Sequence, residues 1–297
     1  MERVEQFLGC SMGTYPCKYL GLPLSIRKQT LAQLMGLVDC LMRKLPTWRA
    51  ASMPKSGRLL LIKSVLCATP IHAMMVLDIP QKVIKAMVKI CRGFLWCARE
   101  SVNGGQCRVP WEAVCAPKWV GGLGLPNHRW LNIAIQSRWL WLQHTGQSRP
   151  WAEFQIVVSE ELRRLFRAAT KMVVGNGLRA CFWEDRWLDG LTVQDVALSI
   201  YAIVPPSMRA SRTVHQVVSM GDWALDIGPD LTGQQLHEYM LLWDRVTRTV
   251  LMPHEDDRIT WNWEANGQYS MSSAYDARFT GREVEPTAQF TWHSKAP

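Results

Sequence analysis

Two carboxylate clusters in the second half of the chain have the residue types that phosphoryl-transfer chemistry needs. They are Glu184-Asp185 and Glu255-Asp256-Asp257, and clustered carboxylates can hold the divalent ions that clamp the attacking and leaving oxygens. The first cluster lies between two tryptophans in a predicted hairpin, and the second follows Pro253 in a predicted turn. These settings favour solvated or structural roles over metal binding, so we predict no catalytic residue in this chain.

The first half of the chain offers no carboxylate cluster. It has six carboxylates, none of them adjacent: Glu2, Glu5, Asp39, Asp78, Glu100 and Glu112. The sequence also contains neither GxSxG nor HExxH, and its seven histidines are scattered. No nucleophile or metal-hydrolase motif is therefore present.

The nine cysteines form no CxxC pair. Cys91, Cys97, Cys107 and Cys115 are 6, 10 and 8 residues apart, which matches no familiar zinc-ligand spacing. We therefore predict no metal site and interpret the cysteines as reduced, small apolar residues. This composition indicates an intracellular protein, without distinguishing the nucleus from the cytoplasm.

The glycines of VCAPKWVGGLGLPN, residues 114–127, could cradle a phosphate, act as a hinge or form a turn. The segment lacks the spacing of GxGxxG and the Lys-Ser/Thr end of GxxxxGK[ST]. A turn is the favoured interpretation, and we predict no cofactor and no small-molecule substrate.

Positive charge is concentrated in the first half. Residues 1–150 hold 20 Lys and Arg against 6 Asp and Glu, whereas residues 151–297 hold 14 against 19. The net charges are therefore +14 and −5. A basic half beside a mildly acidic half favours a polyanionic partner for the first half, namely RNA or DNA contacted through its backbone.

Four cations recur at helical spacing after Pro80: Lys82, Lys85, Lys89 and Arg92. Their spacing of 3, 4 and 3 places them on one face of a predicted helix, and no acidic residue alternates with them. A solvated surface face is an equally good interpretation of this pattern. Lys55, Arg58 and Lys63 on the preceding predicted helix are the second set of candidate nucleic-acid-binding residues.

Apolar periodicity and capping signals predict a mainly α fold with small β-hairpins. Residues 1–27 are predicted to be extended, residues 98–126 to form a Gly/Pro-rich loop region, and residues 200–230 to be a loose connection. Hairpins are predicted at Asn176-Gly177 and Asn266-Gly267 because Asn-Gly is the strongest two-residue hairpin signal. The predicted helices begin at Thr30, Gly57, Pro80, Asn127, Glu160, Thr232 and Ser272.

No membrane contact is predicted. The most apolar run, LLLIKSVLCATPIHAMMVL, is interrupted by Lys63, Pro70 and His72, and a spanning helix needs about twenty predominantly apolar residues.

Six segments in order resemble the reverse-transcriptase polyprotein of plant-type non-LTR (LINE-like) retrotransposons, and together they cover nearly the whole chain. They are KYLGLPLS (18–25), LPTWRA with SGR (45–58), FLW (94–96), VPWEAVCAPKWVGGLGL (109–125), NGLRACFWEDRWLDG (176–190) and WNWEANGQYSMSSAY (261–275).

The resemblance implies a place within that polyprotein. In the family the palm with its paired catalytic aspartates precedes the YLGLPLS segment, and thumb-like helices and a Trp-rich connecting region follow it. The expected regions are a basic helical thumb-like half (1–150), a Trp-rich α+β connecting region (151–260) and the start of the zinc-binding region (261–297). The catalytic aspartates, zinc ligands and RNase H domain of the family would lie outside this chain.

The sequence therefore predicts a non-catalytic fragment of an RNA-directed DNA polymerase polyprotein that binds nucleic acid without sequence readout. The alternative is a protein-interaction or structural module from a decayed or domesticated element, without nucleic-acid contact. Because the family continues beyond this region, we expect several aromatic side chains near the end to be only partly buried: Trp261, Trp263, Tyr269 and Tyr275.

Overall fold

A computed structural model describes residues 9, 15, 17–24, 29–45, 51–100, 104–146, 156 and 158–287. The chain divides into two compact units. Unit 1 comprises residues 1–132 and 281–297, and unit 2 comprises residues 133–280. The domain boundary predicted at residue 150 lies outside the described residues, and the one predicted after residue 260 falls within the strand Arg258–Trp261.

The described residues of unit 1 are helical apart from one short hairpin. Its strands, β1 (Cys17–Tyr19) and β2 (Leu22–Leu24), pair antiparallel with Cys17 opposite Leu24, and Leu20 and Gly21 have positive φ in the turn between them. The described part of the unit also contains a π-helical turn, Ile62–Leu66, and 3-10 turns at residues 104–106 and 118–120. Its elements are β1 (Cys17–Tyr19), β2 (Leu22–Leu24), α1 (Leu31–Arg43), α2 (Lys55–Leu61), α3 (Ile71–Val76), α4 (Gln81–Cys97), α5 (Trp111–Val114) and the first residues of α6 (His128–Thr145).

Helix α1 forms where its cap and its apolar repeat both predict it. The Thr30 hydroxyl accepts the Gln33 backbone N–H, and the Gln33 side chain accepts the Thr30 backbone N–H, which completes a capping box. Leu34, Val38 and Leu41 are buried on one face of the helix. Recurrence at three and four residues builds this apolar stripe, so the sequence prediction for α1 is confirmed.

The glycine-rich segment is a turn shaped by the backbone. Gly121 and Gly124 have positive φ, and the Gly124 N–H donates to the Ala116 carbonyl at 2.9 Å. A Cβ atom on Gly122 would lie 2.0 Å from that carbonyl oxygen. Glycine is required here because the chain folds back on itself, as the turn interpretation predicts.

One helical run among the described residues, Lys55–Val76, is long and apolar enough to cross a membrane by length and composition alone. Core helices of water-soluble proteins meet the same criterion. The run consists of α2, the π-helical turn and α3, with the turn residues 67–70 before α3, and the absence of membrane contact stays a prediction.

Unit 2 contains most of the short helices. Its elements are the remainder of α6, α7 (Glu160–Ala169), β3 (Thr170–Val173), α8 (Val193–Val196), α9 (Leu198–Ile203), α10 (Pro206–Ser211), α11 (Val214–Met220), α12 (Gly233–Thr247), β4 (Arg258–Trp261) and α13 (Met271–Asp276). A 3-10 turn, Asp222–Asp226, follows α11. The loose connection predicted for residues 200–230 is therefore wrong, because α10, α11 and this turn occupy it.

The sheet of unit 2 joins segments that are distant in sequence. Strand β3 pairs antiparallel with β4, with Thr170 opposite Trp261. The hairpin predicted at Asn176-Gly177 is wrong, because β3 takes its partner from some 90 residues away. At Asn266-Gly267 a turn does form, with the Trp261 N–H donating to the Gly267 carbonyl at 2.8 Å, but no strand follows it. The fold class, mainly α with small β pairs, is confirmed.

Aromatic side chains dominate the core of unit 2. Phe182, Trp183 and Trp223 are almost fully buried, and the Phe182 and Trp183 rings meet edge to face at 4.8 Å. The Trp183 indole N–H donates to Asp226 at 3.0 Å, and Arg212 forms an ion pair with the same carboxylate. The NGLRACFWEDRW segment thus supplies the centre of this core.

One of the four aromatic residues near the end of the chain, Trp261, is better packed than the sequence predicts, whereas Tyr269 and Tyr275 are partly buried as expected. Trp261 is 3% exposed and meets the Tyr269 ring edge to face at 4.9 Å. The Tyr269 hydroxyl donates to the Ala134 carbonyl in α6. Only Trp263 is largely exposed, at 42%. The expected partial burial is wrong for Trp261, because α6 and α7 cover its ring.

Candidate nucleic-acid interface

Helix α4 separates an apolar face from a cationic one. Pro80 caps its first turn in an extended conformation, and the helix contains no Asp or Glu. Lys82, Lys85 and Lys89 are exposed, and their spacing of three and four residues aligns them along one side. The opposite stripe is buried and comprises Val83, Met87, Ile90, Cys91 and Phe94.

The arginines among the predicted residues are less accessible than these lysines. The Arg58 Nε–H donates to the Met53 carbonyl at 3.0 Å, and its Nη1 donates to the Leu95 carbonyl at 3.4 Å. Arg92 is half-buried, and its Nε has no hydrogen-bond partner among the described residues. Arg58 therefore ties the start of α2 to the end of α4.

Lys55 and Lys63 are exposed on α2 and on the π turn that follows it. In the described part of the chain, no carboxylate forms an ion pair with either of them or with the three α4 lysines. Five unpaired ammonium groups of unit 1 are therefore open to solvent.

Asp257, in the largest carboxylate cluster, is buried in a structural role. One of its oxygens accepts the backbone N–H groups of Gly175 and Gly177 at 2.7 and 2.8 Å. The other accepts those of Arg179 and Ala180 at 2.8 and 3.0 Å. Burial raises the pKa of Asp257, but these four donors outweigh it and hold the pKa below its ordinary value.

The Glu184-Asp185 pair is also held by protein groups. Arg167 donates to Glu184 at 2.6 Å and lies 3.9 Å from Asp185. The Tyr201 hydroxyl donates to the other Glu184 oxygen at 3.2 Å. Burial raises the pKa of Asp185 to about 6, so the folded state favours its neutral form more than the unfolded chain does. These contacts agree with the structural interpretation of the cluster.

No three His, Cys, Asp or Glu side chains are grouped closely enough to hold a metal ion in the described part of the chain. Three residues that sequence spacing did not bring together do interact in unit 1. Cys67, Cys91 and His128 are all buried in unit 1. Hydrogen bonding between the two thiols lowers the pKa of Cys67 and raises that of Cys91, and the neighbouring His128 lowers the pKa of Cys67 further.

The chain is similar to a protein of Arabidopsis thaliana named "Putative ribonuclease H protein". The two are 26% identical over 280 residues, and the match covers 84% of this chain and 43% of the Arabidopsis protein. The chain therefore spans less than half the length of that relative. No protein-family model matches the chain. No solved structure matches it either.

Proposed function

We propose that the chain is a non-catalytic piece of a LINE-type reverse-transcriptase polyprotein whose basic first half binds nucleic acid through phosphate contacts. Six ordered sequence segments and the likeness to a plant protein named for ribonuclease H support the retroelement origin. The observation that carries the binding function is the row of exposed, unpaired lysines on α4: Lys82, Lys85 and Lys89.

The geometry of this row suits a phosphate backbone. Lys89 lies seven positions after Lys82 on the helix, which corresponds to about 10.5 Å along the axis. Phosphates along one strand of a duplex are about 3.4 Å apart in axial rise, so the row spans roughly three of them. Lysine ammonium groups are point charges that contact phosphates without reading bases. Binding should therefore be independent of sequence and sensitive to salt.

Replacement of Lys82, Lys85 and Lys89 by Ala should weaken binding to all oligonucleotide sequences alike. Each phosphate contact contributes roughly 0.9 to the slope of log affinity against log salt on duplex DNA, so the slope should fall by about 2.7. Fluorescence anisotropy of a labelled duplex across a salt series measures both quantities.

A matched control removes three exposed arginines elsewhere: Arg245, Arg248 and Arg258. This R245A/R248A/R258A variant has the same change in net charge, so it should keep the wild-type salt slope. Equal affinity and equal slope in wild type and the lysine variant would rule out the α4 face.

We further propose that this chain does not polymerise nucleotides by itself. Of the carboxylates that cluster in sequence, Asp257 accepts structural hydrogen bonds, Glu184 and Asp185 lie against Arg167, and Glu255 pairs with Arg258. Primer extension with magnesium or manganese should therefore not exceed that of a heat-inactivated sample. Extension above that level would reveal a metal site outside these clusters.

The alternative function, a protein-interaction module, has one observation in its favour. Leu236, Met240 and Trp243 follow each other at helical spacing on α12 and are 52%, 59% and 42% exposed. A wild-type protein that shows no salt-dependent binding to oligonucleotides would favour this alternative. Localisation inside the cell stays a prediction from the cysteine composition.

A further inference from the structure

Unit 2 contains a groove lined by arginines, although the second half of the chain is acidic overall. The groove has a volume of about 870 Å³. Helix α7 contributes three of the arginines, the segment before α8 one, and α10 one. They are Arg163, Arg164, Arg167, Arg186 and Arg209.

The groove has an excess of positive charge. Three carboxylates share its lining with the five arginines, namely Glu160, Glu184 and Asp195, which leaves two positive charges in excess. The net charge of residues 151–297 is −5, so the fold concentrates cations here. The composition of residues 151–297 is an average over the whole segment and cannot show that arginines gather in one groove.

The ion pairs at the rim of the groove are exposed and weak. Glu160 lies 3.9 Å from Arg163 and 3.4 Å from Arg164, and these arginine side chains are 42% and 76% exposed. Asp195 lies 3.3 Å from Arg186. Because water screens such pairs, a phosphate can replace the carboxylate as the partner of the guanidinium. Arg167 is held more firmly by Glu184 at 2.6 Å.

Arg209 is positioned by an aromatic ring. Its guanidinium carbon lies 4.4 Å from the centre of the Tyr201 ring, and the Tyr201 hydroxyl is anchored on Glu184. Stacking orients the planar guanidinium and reduces the rotamer freedom that it would lose on binding. A guanidinium in this position can donate two hydrogen bonds to one phosphate.

A second cavity, of about 560 Å³, shares Arg163, Arg167 and Arg186 with the groove and adds Arg179 to the row. The cations therefore extend beyond a single phosphate-sized site. Positively charged grooves that follow a strand are the usual binding sites for single-stranded nucleic acid.

We propose that unit 2 binds the phosphodiester backbone of a single-stranded nucleic acid in this arginine groove. The site goes beyond the proposed function, which places the phosphate contacts on unit 1 alone. It predicts that one chain contacts nucleic acid through two separate basic surfaces.

The test uses the full chain with Arg163, Arg164 and Arg209 replaced by Gln. Affinity for a labelled single-stranded oligonucleotide should fall about tenfold or more at low salt, and the salt slope should fall by roughly 0.7 for each lost contact. A second variant, R163Q/R164Q, changes only exposed side chains and should show a smaller loss in the same direction. The control variant R245Q/R248Q/R258Q removes the same charge from unit 2 outside the groove and should leave the affinity unchanged.

Two comparisons separate the possible outcomes. The groove variant, the K82A/K85A/K89A variant and their combination are compared to distinguish the two sites. A loss of affinity in the groove variant supports the groove even where the lysine variant has no effect. Inorganic triphosphate serves as a second probe. It distinguishes a site for a nucleic-acid strand from a site for a small phosphate compound. Wild-type affinity for the oligonucleotide in both groove variants overturns the proposal, and so does triphosphate binding that depends on the groove while oligonucleotide binding does not.

Discussion

Replacement of Asp257 by Ala is expected to lower the free energy of unfolding of unit 2 by on the order of 5 kcal/mol. Asp257 is 6% exposed and accepts four backbone N–H groups between residues 175 and 180. Without the carboxylate these donors stay buried with no acceptor, and each unsatisfied group costs about 1 to 3 kcal/mol. A change of this size is comparable with the whole stability of a typical domain.

Asp256 provides a matched control for this substitution. It is the adjacent residue and is exposed, and its single described contact is a hydrogen bond from the Asn176 side chain at 3.1 Å. Asp256→Ala should therefore change stability by less than about 1 kcal/mol. Denaturant unfolding together with hydrogen exchange of residues 175–180 measures both variants. Equal unfolding midpoints for the two variants would contradict the role of Asp257.

The contribution of Asp257 should also depend on pH. Its pKa in the folded state lies below the ordinary value of 3.8, so folding favours the charged form. The stabilisation is fully present above the pKa of the unfolded chain and is lost as the pH falls through the lower pKa of the folded state. The difference in stability between wild type and Asp257→Ala should therefore be constant near neutral pH and shrink only below about pH 4.

Replacement of Trp183 by Ala is expected to destabilise unit 2 by about 3 to 5 kcal/mol. The side chain is fully buried and packs against Phe182 and Trp223. Truncation would leave a cavity in the middle of the aromatic core, and surrounding side chains can collapse into it only partly. It would also deprive Asp226 of the indole N–H at 3.0 Å.

Trp263→Ala is the matched control, because the same side chain is removed from a position that is 42% exposed. We expect it to cost less than half as much as Trp183→Ala, since less apolar surface returns to water and no internal cavity forms. Thermal unfolding followed by near-ultraviolet circular dichroism measures the loss of aromatic packing in each case. Similar melting temperatures for the two variants would show that the ring at position 183 is not central to the core.

The tertiary structure explains why the carboxylates were difficult to interpret from sequence. Spacing showed that Asp257 lies in an acidic cluster but could not show its partners, which are 77 to 82 residues earlier in the chain. The Asn176-Gly177 signal was misinterpreted for the same reason. Gly177 has positive φ, as in a hairpin turn, but a Cβ there would approach the His215 backbone nitrogen to 2.8 Å. Position 177 therefore requires glycine because another segment of backbone packs closely against it.

Residues 200–230, predicted to be a loose connection, contain a local helix signal that their composition outweighed. Thr213 and Gln216 form a capping box at the start of α11, the same arrangement that correctly placed the start of α1 at Thr30. The Pro, Gly, Ser and Asp content of residues 200–230 hid it. Short helices of this kind depend on packing, since isolated segments of six or seven residues are unstable in water.

The sequence by itself determined the features that depend on neighbours within a few residues. The long helices α1, α4, α6 and α12, the mainly α class and the cationic spacing of Lys82, Lys85 and Lys89 all follow from caps and from the 3.6-residue repeat. Only the tertiary structure decided which strand pairs with β3, where the Asp257 carboxylate is satisfied and which arginines meet in one groove. Those features join residues tens of positions apart, and their energies come from burial and hydrogen bonds that exist only after the chain has folded.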